Sequence, residues 1–108
     1  MTITTERMEQ ALTYMAQTDE TCAQLRADME RAEWKAKAIR DALFMRLTGT
    51  VAERTAQAGA SEEYETAMNR YFDYLAAWEH VKNKRQTEAI VVEAWRTIAA
   101  GRRVGVIT

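Results

Sequence analysis

The amino-acid sequence predicts an all-α fold: an antiparallel, coiled-coil-like hairpin of two long helices with a short helix at the turn. Three observations predict it. Proline is absent and only 4 glycines occur in 108 residues, so the punctuation that sheets and long loops need is missing. Apolar side chains recur at alternating three- and four-residue spacing over most of the chain. The few breakers gather in one short stretch, Thr48 to Ser61, which divides the chain into two long segments.

The first helix is expected over about residues 5–47. Thr4 or Thr5 offers the N-cap, with Glu6 and Glu9 where the helix dipole favours negative charge. Met8, Met15, Cys22, Met29, Ala36 and Leu43 occupy one heptad position; Ala11, Thr18, Leu25, Ala32 and Ile39 occupy the other. The stripe is weakest at its N-terminal end, where Thr18 and small or flexible side chains give little specificity. Fraying or dependence on a partner is expected there.

Thr48 and Gly49 close this helix. Thr50-Val51-Ala52-Glu53 then carries the Thr-x-x-Glu capping box, and a short helix follows over about 51–58. Gly59 stops it, and Ser61 caps a third helix with Glu62 and Glu63 in its first turn. The alternative is one bent helix continuing through Gly59.

The third helix is expected over about 62–100, ended by Gly101, with a tail over 101–108. Tyr64, Ala67, Met68, Tyr71, Leu75, Trp78, Val81, Val92, Trp95 and Ala99 share one face, with Arg85 and Glu88 inside the stripe. Arg85 must find a carboxylate or reach water along its own stem; Asp19, Asp28, Glu30 and Glu33 are the candidates, depending on register. Val104, Val106 and Ile107 in the tail either pack back, add a strand to a neighbour, or stay unfolded. The whole chain reads as one helical domain.

Lysine plus arginine number 15 and aspartate plus glutamate 16, for a net charge of -1, which is not the footprint of a wholly cationic nucleic-acid binder. The lone Cys22 excludes an internal disulfide. With no long apolar run and no basic-then-apolar leader, a cytoplasmic protein without a membrane span is expected.

Chemistry-bearing constellations are sparse. His80 is the only histidine, and Cys22 reads as a small hydrophobe in the stripe rather than as a nucleophile. The carboxylate pairs Glu30/Glu33 and Glu6/Glu9 have helical spacing, but Glu30 and Glu33 lie among Arg26, Arg31, Lys35 and Lys37, so surface pairing accounts for them. Phosphate-cradling glycine loops are absent. The expectation is no enzyme, no cofactor and no metal.

Interaction is the better prospect. Trp34, Phe72 and Tyr74 suggest a second apolar face beyond the seam, so a homo-oligomer or a contact with another protein is expected. Tyr64, Tyr71 and Tyr74 suit either an interface or a narrow seam with wet edges. Arg85 could anchor a partner as readily as fix the register. Between Val81 and Thr108 six cations stand against Glu88 and Glu93, a net charge of +4. There Trp95, Arg96, Arg102 and Arg103 could meet phosphates and bases, or serve as core and helix-end complements.

Gly49-Thr50-Val51-Ala52-Glu53-Arg54, the Ser61-x-x-Tyr64 start, and Trp95-Arg96-Thr97 followed by Ala100-Gly101-Arg102-Arg103 resemble small helical proteins encoded by tailed bacteriophages and prophages. The motifs keep the same order in that group and cover roughly residues 25–103. The group has no settled biochemical function; its members look like early-region products, some near replication and recombination genes. The resemblance implies the cytoplasm of an infected bacterium and three roles. They are a module that binds or inhibits a host or phage protein, a host defence complex included; an accessory DNA-binding, recombination or replication factor; and an assembly component. The near-neutral charge puts a protein partner first. Its candidate contacts are Tyr64, Tyr71, Tyr74, Arg85, Trp95, Arg96, Arg102 and Arg103, with nucleic acid secondary.

Overall fold

In the computed structural model, which describes residues 2–103 (Arg103 by its backbone alone), the chain is all-α. Helix α1 spans Thr5–Arg46, α2 Val51–Gly59 and α3 Glu62–Arg103. The two 42-residue helices run antiparallel and contact each other extensively, with α2 at the turn, so the hairpin is observed. No helix among the described residues is long and apolar enough to cross a membrane.

Local chemistry sets the boundaries. Thr4 caps α1: its Oγ1 accepts from the Arg7 N–H at 3.0 Å. Gly49 has φ 115, a left-handed conformation that side chains other than glycine avoid, and a Cβ there would meet the Glu53 carboxylate. Thr50 then caps α2, accepting from the Glu53 N–H at 3.1 Å. Ser61 works in both directions, donating to the Ala58 carbonyl at 2.9 Å and accepting from the Tyr64 N–H at 3.2 Å. Helix α2 therefore stops at Gly59, and the continuous bent helix is not formed.

One boundary differs from expectation. Gly101 does not end α3, which continues through Arg103. A glycine in the last turn weakens a helix by only about 1 kcal/mol relative to alanine, and the two arginines after it complement the negative end of the dipole. The tail from Val104 onward lies outside the described residues.

By contacts the chain divides into two compact units. One comprises residues up to Cys22 together with those from Glu79 onward; the other is Ala23–Trp78. In the terminal unit Met8, Ala11 and Val92 form a buried cluster, with Val91 and Trp95 packed against it. This is the end at which the sequence predicts the weakest seam. Thr18, which looks unspecific in the sequence, is a hydrogen-bonding member of it: its Oγ1 donates to the Tyr14 carbonyl at 2.7 Å and accepts from Arg85 at 2.8 Å. In the turn unit the buried positions are Met29, Ala32 and Ala36 on α1 and Ala58 on α2. Every heptad position from Met8 to Leu43 is buried or half-buried, as is every stripe position named on α3.

Candidate interaction surfaces

In the terminal unit the charged members of the α3 stripe are used within the chain. Arg85 donates from Nη1 to the Met15 carbonyl (2.6 Å) and to Thr18 Oγ1 (2.8 Å), and from Nη2 to Asp19 Oδ1 (3.2 Å). Of the four carboxylates the sequence offers, register selects Asp19, which is itself largely exposed. Glu88 is buried and its Oε2 lies 2.7 Å from Arg7 Nη2, an ion pair by distance whose geometry is not that of an aligned hydrogen bond. Lys84 sits over the Tyr14 ring, 4.5 Å from its centroid.

Further along α3, Trp95 is half-buried against the Val92 cluster, so its ring belongs to the seam as its spacing implies. With Arg96, Ala99 and Ala100 it borders a shallow surface depression. Arg96 is exposed and lies 3.7 Å from Glu93, one turn earlier on the same helix. Arg102 is exposed, and the side chain of Arg103 lies outside the described residues.

In the turn unit the three tyrosines take different parts. Tyr64 lies beneath the Arg40 guanidinium, 5.9 Å from the ring centroid. Tyr71 packs against Phe72 with ring centroids 5.3 Å apart, and its phenol faces the Glu33 carboxylate. The hydrogen bond from Lys37 (2.9 Å), and after it the facing Tyr71 phenol, hold the Glu33 carboxyl below the usual carboxylate range. Burial first, and Glu33 second, push the Tyr71 phenol above its ordinary value. Together these contacts close one flank of the α1–α3 seam.

The opposite flank is open. Tyr74 lines a groove of about 390 Å³ there, floored by Ala32, Ile39 and Ala67 and edged by Arg31, Lys35 and Arg70. The two carboxylates on its border are already engaged: Asp28 by Arg31 at 3.3 Å and Glu63 by Arg46 at 3.6 Å. Lys35 and Arg70 form no ion pair among the described residues.

Large apolar side chains also face water outside any seam. Trp34 is 71% exposed, Met45 76% and Ile90 68%, and Phe72, Val51 and Leu12 are exposed as well. Trp34 and Phe72 thus lie on exposed surface as the sequence suggests, whereas Tyr74 sits in the groove. Among the described residues no large side chain is fully buried.

Of the residues with catalytic potential, His80 is exposed and Cys22 is a half-buried free thiol at its heptad position. Glu30 is ion-paired with Arg26 at 3.3 Å. Among the described residues no three His, Cys, Asp or Glu side chains converge as metal ligands would. Sequence reasoning missed the open groove, because which flank of a seam is sealed depends on register, and it missed the Arg7–Glu88 pair for the same reason. No family model matches the chain, and neither the curated proteins nor the solved structures compared with it give a match.

Proposed function

We propose that this chain is a non-enzymatic helical interaction module that binds and modulates another protein. One observation carries the reading: among the described residues no large side chain is fully buried, while six large apolar ones, Trp34 and Ile90 among them, stand exposed. Apolar surface left in water forgoes roughly 25 cal/mol per Å² of burial, so a hairpin with so thin a core gains most from a partner that covers it. The resemblance to phage-encoded helical proteins supplies the setting. The partner is a protein of the infected bacterium or of the phage, and blocking a host defence complex is a role that surface contact alone can fill.

The test is recovery of the tagged chain from bacterial cells in parallel with Trp34→Glu and Ile90→Glu. Both positions are exposed, so the variants should keep native helicity and melting behaviour. A protein retained by the native chain and lost with either variant supports the reading. Retention of the same proteins by all three chains, or of none by the native chain, overturns it.

A DNA-binding role has one observation in its favour, the exposed Arg96 and Arg102 on the last turns of α3. Glu93 beside Arg96 weakens that case. Phosphate contacts are strongest at low ionic strength, so a short oligonucleotide that does not shift there removes this reading.

A further inference from the structure

The two flanks of the seam in the turn unit are not equivalent. On one, Tyr71 faces Glu33, which Lys37 holds, and Arg40 lies over Tyr64, so aromatic and polar groups occupy the gap between α1 and α3. On the other, Ala32 of α1 and Ala67 of α3 line a gap that stays open as the 390 Å³ groove. Two of the three floor residues are alanines, the side chains that let a further backbone come close, and the third is Ile39. The lining residues on α1 run from Asp28 to Ile39, eleven steps along the helix, so the groove is roughly 16 Å long at 1.5 Å per residue. That is about three helical turns.

Charge narrows the choice of occupant. The border carboxylates each have an ion-pair partner within the chain, Arg31 and Arg46, whereas Lys35 and Arg70, one on each helix, have no acidic partner among the described residues. An apolar trough between two unpaired cations, one on each helix, suits a rod with a greasy face and acidic shoulders. Tyr74 adds a phenol at one end, able to take a polar tip while its ring extends the floor. From this juxtaposition we infer that the groove is the docking site for an acidic amphipathic helix of the partner protein, which packs as a third helix against α1 and α3. The inference rests on the reading of the chain as an interaction module and gives it a place and a partner chemistry. A second copy of this chain is a poorer occupant, since the same face would bring Lys35 and Arg70 up against the cations of its twin.

Two synthetic 14-residue helices with the same Leu/Ala face, one flanked by glutamates and one by lysines, test it by fluorescence anisotropy against the full chain. The acidic peptide should bind and the basic one should not, and binding should weaken as salt is raised. The double variant Lys35→Glu, Arg70→Glu changes only exposed positions and should retain its circular dichroism. It should bind the acidic peptide roughly tenfold or more weakly and take up the basic one. Ala67→Trp fills the trough and should abolish binding of either.

Equal binding of both peptides, no binding of either, or a preference that the double variant leaves unchanged overturns the inference. So does a native dimer that Ala67→Trp dissociates. Failure here is distinguishable from failure of the broader proposal. If the partner captured from cells is lost with Trp34→Glu yet kept by the Lys35→Glu, Arg70→Glu chain, the module stands and the groove is not its site.

Discussion

In the unit that holds the chain's first 22 residues, charged side chains work inside the seam: Arg85 reaches across α1 to Met15, Thr18 and Asp19, and Glu88 is buried against Arg7. In the unit from Ala23 to Trp78 the seam itself is apolar, built on Met29, Ala32 and Ala36, and charge stays on the flanks, where it closes one side and edges the open groove. The contrast separates two tasks. Hydrogen bonds from a half-buried arginine are directional, so they set which residue of α1 faces which of α3. An alanine-lined seam is indifferent to such detail and leaves room for something else to pack. Register is fixed where polar groups cross, and capacity for a partner lies where they do not.

The largest effect expected on this contrast comes from the apolar contacts both units share. Met8→Ala and Met29→Ala should each cost about 2–3 kcal/mol in chemical unfolding, at the low end for large-to-small changes because neither site is enclosed on all sides. Similar losses would place apolar support in both units; a loss for Met29 alone would mean that the terminal unit depends on its polar bonds. Arg85→Ala comes next, at about 1–3 kcal/mol, the scale of hydrogen bonds from a charged donor. Amide exchange should rise around Thr18 and Arg85 and change little between Ala23 and Trp78. An unchanged exchange pattern would reduce the arginine to surface decoration.

The smallest effect sharpens the account of the sealed flank. Glu33 is held below its ordinary value, so the stability it confers is present above the unfolded carboxyl range and is lost as pH falls through the folded value. Thermal melts of the native chain and Glu33→Gln should therefore differ at neutral pH and converge in acid. Tyr71 titrates in the other direction: its raised value means a contribution intact below the ordinary tyrosine range and lost only in strong alkali. Parallel acid limbs for the two chains would show that Lys37 and Tyr71 leave the carboxylate no better off than water does.

Much of this was legible in the residues and some was not. The heptad named α1's inward positions from Met8 to Leu43, because a period of three and four residues leaves little choice about which face is greasy. Capping chemistry at Thr50 and Ser61 placed the short helix. Arg85 announced that it needed a carboxylate, but four were within reach of different registers, and only the packed helices choose Asp19. Glu88 was visible inside the α3 stripe, while Arg7, lying just before Met8 on α1, gave no sign of being its counter-ion. Gly101 misled, since glycine near a helix end commonly stops it and here does not. Tyr64, Tyr71 and Tyr74 look alike in sequence, yet Tyr64 and Tyr71, one heptad apart, go to the closed flank, and Tyr74, less than one turn further on, goes to the open groove.

Ala11 and Ala36 are completely enclosed, each with 0% of its surface exposed. Among the described residues the most fully enclosed positions are therefore small side chains, which reverses the usual map of mutational hazard. Trimming a bulky residue leaves a gap that the neighbouring flexible methionines can partly refill. Adding even a few carbons at either alanine would wedge the helices apart within its own unit, so drift in this sequence should be most constrained where there is least to lose.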